Sequence, residues 1–300
     1  MTVTITPTNA TLGCIVTDVH LGDMSDAEWR NVEDAFHEHG VLICPQQHLT
    51  RDEQVAFSRR FGNIENLSGS PKFDAVQISN EKEDGTAAPA TEHRTQILRG
   101  NEGWHTDSSY MPLAAKASCL TAMKLPETGG GTAWADMRAA YEALDDDMKA
   151  KIANLEACHS LYYSQSQIGH IVDTGMGYGF HTKGAPVRPL VKTHPVTKRK
   201  SLFIGRHAYR IFGMADDEAQ QLLQDLVEFA CQPPRIYEHD WQVGDLCIWD
   251  NRCVLHRARP YKYDEIRVLR HTRIAGEPAT ELVRTIRDEL ASGFEQAAAG

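Results

Sequence analysis

Two residue types that bind transition metals stand close together near the end of the first third of the chain. The stretch from Gly103 to Tyr110 contains His105 and Asp107. In an extended segment, side chains two positions apart project from the same face, so this imidazole and this carboxylate would point the same way. Such a pair forms two corners of the facial triad of two histidines and one carboxylate that binds Fe(II). The spacing alone is weak evidence because the chain has 14 histidines, and an exposed loop histidine is the simpler interpretation.

A third ligand is available later in the chain. The run from Asp245 to His256 is an apolar strand pattern that ends in a histidine, 149 positions beyond Asp107 (256 − 107). This histidine could complete the triad. Taken alone, a histidine at the end of such a strand is more often a hydrogen-bonded core residue than a ligand.

The last predicted strand carries an unusual set of cations. Strand alternation sends Arg267, Leu269, His271 and Arg273 to one face and Arg270 to the other. Burying an unpaired guanidinium is costly, so an inward arginine needs an anion, and a dicarboxylate ligand would supply one with bidentate geometry. A salt bridge to an internal acidic residue and an exposed edge strand are the alternatives.

Composition limits the class of protein. Three hundred residues with 41% hydrophobic content can bury a full core, and we predict one domain over residues 1–300, with a core of about 12–278 and a helical tail at 279–300. The net charge of −10, without a basic run, argues against nucleic acid and anionic membranes as partners.

Cysteine usage and the N-terminus indicate the compartment. The seven cysteines are odd in number and form no C-x-x-C pair, which argues against a disulfide framework and a thiolate zinc site. The chain starts without a signal peptide pattern and has no run of about 18 apolar residues. We predict an unprocessed cytoplasmic protein and leave open whether it forms a homo-oligomer.

Local signals predict alternating strands and helices at the start of the chain. Ser25 with Glu28 and Thr50 with Glu53 form two capping boxes at helix starts. Gly40 and Gly62 are expected to end these helices. Strands are predicted at 12–17 and 41–44. The polar stretch 63–100 reads as a long loop, either a lid or a disordered segment.

The rest of the chain is predicted to contain further strands and helices and one stretch without a clear pattern. Strands are predicted at 117–123, 132–135, 190–192, 201–204, 247–249, 254–256 and 267–274, and helices after Asp136, around Met148 to Leu155 and around Leu222 to Phe229. The stretch 159–184 has no clean period. It fits a second functional loop and a surface excursion equally well.

Taken together in this order, several motifs resemble one family. They are His105-x-Asp107, Gly129-Gly-Gly-Thr132, Trp249-Asp-Asn-Arg252, His256-Arg-Ala258 and Arg267. This set is similar to the Fe(II)- and 2-oxoglutarate-dependent taurine dioxygenase and 2,4-dichlorophenoxyacetate dioxygenase family, over roughly residues 12–278. The resemblance implies an α+β fold in which a double-stranded β-helix, or jelly roll, is flanked by helices.

The resemblance also implies roles for individual residues. His105, Asp107 and His256 would bind the iron. Arg267 would hold the far carboxylate of 2-oxoglutarate, with Thr132 assisting. Fe(II), 2-oxoglutarate and O2 are thus the expected cofactor and cosubstrates.

Further stretches are similar to the branch of this family that acts on (S)-2-aryloxypropanoate herbicides. They are 100–112, 159–166, 204–208, 230–237 and 273–276. Where the taurine enzyme has a second arginine four residues after the first, this chain has His271, so a sulfonate-binding role is in doubt there. Candidate contacts to a substrate carboxylate and its apolar body are Arg273, His271, Arg206, His207, Tyr110, Met111 and Tyr163. We favour Arg273 for the carboxylate because it shares a strand face with Arg267.

The expected reaction follows from this set. Oxidative decarboxylation of 2-oxoglutarate would generate an oxidant that removes a hydrogen atom from a C–H next to an ether oxygen, giving a phenol, a 2-oxo acid, succinate and CO2. An alkylsulfonate or alkyl sulfate dioxygenase is the alternative within the family. A non-catalytic small-molecule-binding protein and a zinc hydrolase are the alternatives from other classes, and neither explains Arg267 with Thr132.

Overall fold

The structure is a computed structural model that describes residues 3–67 and 74–291. Its helices are α1 (Asp26–His39), α2 (Arg51–Phe61), α3 (His93–Gly100), α4 (Met137–Ala143), α5 (Asp146–Ile152), α6 (Leu161–Ser166), α7 (Asp216–Ala230) and α8 (Pro278–Glu281). Its strands are β1 (Thr4–Pro7), β2 (Cys14–Thr17), β3 (Val41–Cys44), β4 (Val76–Ser79), β5 (Ala115–Lys124), β6 (Thr132–Asp136), β7 (Glu156–His159), β8 (Ala185–Pro189), β9 (Val191–Thr193), β10 (Lys200–Leu202), β11 (Ala208–Ile211), β12 (Ile236–His239), β13 (Leu246–Asp250), β14 (Val254–Ala258), β15 (Val268–Ala275) and β16 (Thr285–Ile286). Helices packed on mostly antiparallel sheets make this an α+β protein, as predicted.

The largest sheet has seven strands in the order β1-β2-β3-β13-β5-β15-β4. Its pairs are antiparallel except β2 with β3. The strands in the middle are rich in buried apolar residues, so both faces are covered. One face packs on α1 and α2 through Phe36, Phe57 and Phe61.

The opposite face of the large sheet meets a three-stranded sheet of order β12-β6-β14. Trp134 of β6 and Trp249 of β13 contact each other with ring centroids 5.8 Å apart. The outer side of β6 and β14 packs on α7, where Leu222, Leu226 and Leu255 share one cluster. The space between the two facing sheets therefore holds the inward side chains of β13, β14 and β15.

The first two helices begin and end where the sequence predicts. Ser25 accepts a hydrogen bond from the backbone N–H of Glu28, whose side chain accepts one from the Ser25 backbone. Thr50 and Glu53 make the same reciprocal pair. Gly40 ends α1 with φ 73°, a left-handed conformation that favours glycine.

The predicted loop 63–100 is wrong in part, because it contains β4 and α3. The β4 strand pairs only with the edge of the large sheet at β15, so its two apolar residues give little periodic signal. The α3 helix starts after Glu92 without a side-chain cap, which removes the usual sequence marker. Residues 68–73 of the predicted loop lie outside the described residues. The β1 strand was also missed.

The predicted helical tail is wrong for its described part. After one short turn, α8, the chain forms β16, which pairs with the edge of β8. The pairing of Thr285 with Pro186 and Ile286 with Ala185 is a tertiary contact, so local sequence could not predict it. Residues 292–300 lie outside the described residues.

Among the described residues, none of the helices is long and apolar enough to cross a membrane.

Candidate metal centre and active site

Three predicted ligands come together between the facing sheets. His105 and His256 pair through two backbone hydrogen bonds of 2.9 and 2.8 Å. The chain then turns at Asp107 rather than continuing as a strand, with Ser108 at φ 54°. Each of the three side chains, those of His105, Asp107 and His256, is buried. Each offers one ligand atom, and these three atoms lie within 4.8 Å of one another. The structure thus brings the three side chains together, but His105 lies in an isolated bridge and Asp107 in a turn, not in the one strand that the spacing predicted.

Both histidines are held in the neutral form that binds metals. Burial lowers the pKa of His105 to about 4 and that of His256 well below its usual value. The Nδ1 of His105 lies 2.8 Å from the Gly103 carbonyl, so the proton sits on Nδ1 and Nε2 has a free lone pair. This tautomer is the one that a metal ion needs.

The third candidate ligand, Asp107, stays ionised. Burial alone would raise its pKa, but the Arg273 guanidinium and the neighbouring histidines more than offset this and lower it. Oδ1 accepts a hydrogen bond from Arg273 Nη2 at 2.7 Å, and Oδ2 lies 3.6 Å from His256 Nε2. Two imidazoles and one carboxylate oxygen on the same side of the cavity fit the donor set that binds Fe(II).

Sequence reasoning missed the residues that orient this carboxylate. Ser118 on β5 donates a hydrogen bond of 2.6 Å to Asp107 Oδ2. Asn251 donates to the Ser118 hydroxyl at 3.0 Å and accepts from Trp249 Nε1 at 3.0 Å. Asn251 belongs to the Trp-Asp-Asn-Arg motif that carries the family resemblance, so a signal was present. Ser118 had none.

Arg188 fixes the backbone that follows Asp107. Its guanidinium donates to the carbonyls of Ser109, Met111, Pro112 and Glu281, at 2.6–3.3 Å. One buried cation therefore satisfies three carbonyl groups of this turn and one of α8. It connects a segment without regular secondary structure to the rest of the fold.

A buried cation without an acidic partner lies at another side of the same cavity. Arg267 is 4% exposed and donates through Nε to the Gly130 carbonyl at 2.7 Å. No ion pair connects it to a carboxylate within the described residues, and burial lowers its pKa to about 10. A Cβ at Gly130 would lie 3.1 Å from the Arg267 side chain, so glycine allows this close approach.

Thr132 stands beside this cation with a hydrogen-bond donor to spare. Its hydroxyl oxygen accepts a hydrogen bond of 3.0 Å from Trp241 Nε1. The hydroxyl proton is thus available to another acceptor, and Thr132 lines the cavity together with Arg267. Both predicted 2-oxoglutarate contacts therefore face one space.

The cavity that joins these groups has a volume of about 370 Å³. Four predicted substrate contacts line it: Tyr110, His207, His271 and Arg273. The other side chains of its wall are mostly apolar or aromatic, and the sequence prediction did not include Tyr178, Phe180, His93, Arg94, Ile97 and Tyr261. A small molecule with an aromatic body fits such a lining.

Three other predicted contacts do not line the cavity. Arg206 donates to the backbone carbonyls of Gly100 and Ser164 instead. Met111 lines a separate pocket instead, and Arg188 bonds its backbone carbonyl. Tyr163 stacks on Tyr209 with centroids 4.8 Å apart, on the far side of the short helix α6. Their predicted roles are corrected accordingly.

A second buried cluster has the same residue types but is closed. His194, Asp250 and Cys253 also have ligand atoms within 4.8 Å of one another. The Arg252 guanidinium donates hydrogen bonds to both carboxylate oxygens of Asp250, at 2.8 and 2.5 Å. His194 donates to Asp250 at 2.9 Å, while its Nδ1 accepts from the backbone N–H of Thr197 at 3.0 Å.

Comparison with known proteins identifies relatives over nearly the whole chain. Residues 5–273 match the family model described as taurine catabolism dioxygenase TauD, TfdA family. An (S)-phenoxypropionate/alpha-ketoglutarate-dioxygenase from Sphingobium herbicidovorans is 50% identical over 283 residues, which cover 92% of this chain and 96% of the relative. An alpha-ketoglutarate-dependent 2,4-dichlorophenoxyacetate dioxygenase from Burkholderia sp. is 40% identical, covering 85% and 88% of the two chains.

A solved structure agrees with this match. The crystal structure of AAD-2 in complex with Mn(II) and N-oxalylglycine superposes with a TM-score of 0.86 at 36% identity, covering 95% of this chain and 100% of the other. The family match, the sequence relatives and this superposition cover the segments that build the cavity. The chain therefore belongs to the taurine catabolism dioxygenase TauD, TfdA family.

Proposed function

We propose that this protein is an Fe(II)- and 2-oxoglutarate-dependent dioxygenase that hydroxylates the C–H next to the ether oxygen of an aryloxyalkanoate, with an (S)-2-aryloxypropanoate as the leading substrate. The observation that carries the proposal is one cavity in which His105, Asp107 and His256 converge beside a buried, unpaired Arg267. The two (S)-phenoxypropionate relatives, at 50% and 48% identity, support this choice of substrate.

His105, Asp107 and His256 would hold the Fe(II). When bound, the ferrous ion with 2-oxoglutarate and O2 supplies the oxidant that removes a hydrogen atom from the substrate. The protein keeps both imidazoles neutral by burial and keeps the carboxylate ionised through Arg273. Ser118 fixes the orientation of Asp107, which is how outer contacts tune a metal ligand.

Arg267 and Thr132 bind the far carboxylate of 2-oxoglutarate. A buried guanidinium without an internal anion is unfavourable, and a bidentate carboxylate corrects this. The Thr132 hydroxyl, whose oxygen is already used by Trp241, donates its proton to the same carboxylate. This arrangement selects a cosubstrate with a negative charge at its far end.

The substrate carboxylate is bound near Arg273, with His271 and His207 beside it. These three side chains line the cavity, and Fe(II), Asp107 and Arg273 together carry a net positive charge that attracts an anion. Arg273 already contacts Asp107 at 2.7 Å, so it is oriented toward the reacting end. Tyr110 contributes an aromatic wall for the aryl group.

Hydroxylation next to the ether oxygen determines the products. For a 2-aryloxypropanoate, the hydroxylated carbon is a hemiketal, which collapses by breaking the bond to the aryl oxygen. The aryl group leaves as a phenol and the rest of the molecule becomes a 2-oxo acid. One O2 and one 2-oxoglutarate are consumed, and succinate and CO2 are released.

The proposal extends to the fold and the setting of the enzyme. The large sheet and the three-stranded sheet, facing each other around the ligands, belong to a double-stranded β-helix within a single domain. Its seven cysteines are free, in keeping with work in the cytoplasm. Its partner is a small carboxylate and neither nucleic acid nor a membrane, with homo-oligomerisation left open.

The test is 2-oxoglutarate consumption with the separate enantiomers of a 2-aryloxypropanoate, compared with taurine and a longer alkylsulfonate. We expect succinate and phenol in equal amounts from the (S) enantiomer. Turnover confined to the sulfonates would refute the substrate assignment. Absence of succinate with every compound would favour a binding protein or a zinc hydrolase.

A further inference from the structure

An irregular segment, residues 167–184, covers one side of the cavity. It follows α6, and its residues Gly177, Tyr178 and Phe180 line the cavity wall. Tyr178 and Phe180 are in contact with the aromatic cluster around Tyr110 and Tyr162. The sequence left this stretch open between a functional loop and a surface excursion, and its contacts favour the functional loop.

This covering segment has little to hold it in place on its outer side. Ile171 is 79% exposed and Met176 is 58% exposed. Gly169 and Gly175 have positive φ values of 76° and 86°, and a Cβ at either would meet nothing within 4 Å. Exposed parts of a segment with few contacts open locally at low free-energy cost, whereas Val172 and Phe180 of this segment are buried.

The inner side has several polar attachments, among them Thr174 to the Tyr162 hydroxyl at 2.9 Å and His181 to the Tyr110 carbonyl at 3.2 Å. One of them connects the segment to the metal site. The Tyr178 hydroxyl donates a hydrogen bond to Glu65 Oε1. The Ser108 hydroxyl donates to Glu65 Oε2 at 2.9 Å. Glu65 is itself anchored, because its backbone N–H donates to the Arg273 carbonyl at 2.7 Å. A carboxylate on the fixed part of the protein therefore holds a tyrosine on the covering segment, and the Ser108 hydroxyl lies 2.9 Å from the same Tyr178 hydroxyl.

The same carboxylate is connected to the metal site. Arg273 donates through Nη1 to the Ser108 hydroxyl at 3.0 Å and through Nη2 to Asp107 at 2.7 Å. The guanidinium also lies 5.5 Å from the centre of the Tyr178 ring. The hydrogen bonds thus run from Tyr178 through Glu65, Ser108 and Arg273 to the carboxylate that binds the metal.

We propose that Glu65 and Tyr178 form a latch that closes residues 167–184 over the bound substrate and holds Arg273 in position against Asp107. Both are positioning residues, since they act through Ser108 and Arg273. The proposal rests on the proposed function for its substrate, but the latch itself does not depend on it. A closed latch keeps water from the reacting groups until the substrate is hydroxylated.

The first test measures opening of the segment directly. Hydrogen exchange is followed in the full chain, metal-free and with Mn(II) and 2-oxoglutarate, for Tyr178→Phe and Glu65→Ala. Peptides from 167–184 should exchange roughly 10-fold faster than in the unmodified protein, the factor that one modest hydrogen bond represents. Peptides from α7 should not change.

Two further variants decide whether the latch causes this effect. Glu65→Gln keeps an oxygen that accepts from Tyr178 and should retain most of the protection. Tyr209→Phe removes a hydroxyl from a partly buried tyrosine nearby that stacks on Tyr163, and it should leave exchange unchanged. Unchanged exchange in Tyr178→Phe and Glu65→Ala, or an equal increase in Tyr209→Phe, would overturn the proposal.

The second test measures coupling during turnover. Tyr178→Phe should raise the ratio of succinate to phenol at least about 2-fold and raise the KM for the aryloxyalkanoate several-fold. The KM for 2-oxoglutarate should stay the same, because Arg267 and Thr132 are not part of the latch. A parallel change in both KM values would contradict the proposal. If no aryloxyalkanoate is turned over, the proposed function fails while the exchange experiment still judges the latch.

Discussion

The two buried clusters contain the same residue types, histidine and aspartate, but differ in how their aspartates are hydrogen-bonded. In one, Asp250 has both oxygens paired with Arg252 and receives a hydrogen bond from His194. In the other, Arg273 holds Oδ1 of Asp107, while Oδ2 receives the Ser118 hydrogen bond and faces the His256 ring nitrogen. In the first cluster, both oxygens of the aspartate have hydrogen-bond partners from within the chain.

The clusters also differ in what they face. His105, Asp107 and His256 line the cavity, whereas His194, Asp250 and Cys253 do not. A closed ionic cluster fixes one arrangement of the chain, and an open one leaves lone pairs for a ligand. Residue type and proximity therefore do not distinguish a metal site from a structural one, but the hydrogen-bond partners of each atom do.

The largest difference is expected from Asp107→Ala. Loss of the carboxylate removes both a ligand and the charge that neutralises the ion, so Fe(II)-dependent succinate formation should fall more than about 10³-fold, beyond the 10–100-fold that loss of an outer contact costs. Mn(II) should no longer raise the melting temperature. Retained metal stabilisation in this variant would place the metal elsewhere.

Arg267 differs from Arg252 and Arg273 because its expected anionic partner is a carboxylate of bound 2-oxoglutarate and not a side chain. Arg267→Ala leaves the far carboxylate of bound 2-oxoglutarate unpaired, which should weaken its binding by about 3–5 kcal/mol. Arg267→Lys should fail nearly as badly because it lacks the bidentate fork. The measurement is the apparent affinity for 2-oxoglutarate, and an unchanged value would remove this assignment.

Asp250→Ala should instead act on stability. It leaves Arg252 buried without its partner, so the free energy of unfolding in urea should fall by about 3–5 kcal/mol. The increase in melting temperature on addition of Mn(II) should remain, because the metal ligands are elsewhere. Loss of that increase together with the stability would show that the two clusters are not independent.

Ser118→Ala should have a smaller effect confined to the open cluster. Oδ2 of Asp107 loses its hydrogen bond from Ser118, so metal affinity should fall roughly 10–100-fold. Ser201→Ala is a matched control, because the Ser201 hydroxyl bonds a backbone carbonyl of the closed cluster, that of Arg252. Equal metal affinity in both variants would count against the role of Ser118.

The effect that is smallest near neutral pH comes from a histidine that titrates. Burial lowers the pKa of His271 to about 3 from 6.5, so the unfolded chain takes up a proton between these values that the folded protein refuses. The contribution of His271 to the free energy of unfolding is therefore complete above about pH 6.5. It falls as the pH decreases toward 3, by at most about 1.4 kcal/mol per pH unit. His271→Gln should reduce the slope of unfolding free energy against pH by up to that amount. A slope that does not change would mean that this histidine is protonated in the folded state.

The parts of the fold that could be predicted are those with local causes. The capping boxes at Ser25 and Thr50 depend on residues three positions apart, and both helices begin there. The β4 strand depends on pairing with β15, and β16 depends on the edge of β8. Both strands are too short for their apolar residues to predict a strand from the local sequence alone.

The site divides in the same way. Alternation along the predicted strand 267–274 placed Arg267, His271 and Arg273 on one face, and all three line the cavity. Ser118 and Glu65 could not be found, because their partners are 11 and up to 113 positions away along the chain. Arg206 was misplaced because its neighbours in space, the carbonyls of Gly100 and Ser164, are not visible in its own segment.

The reciprocal backbone bonds between His105 and His256 join residues 151 positions apart (256 − 105). Closing so long a loop costs chain entropy, and contacts of this separation form slowly during folding. The three candidate metal ligands therefore come together only after these two distant segments have paired. Ion capture would thus follow the pairing of β14 with the His105 segment, and a newly synthesised chain would acquire iron only after both have been made and docked.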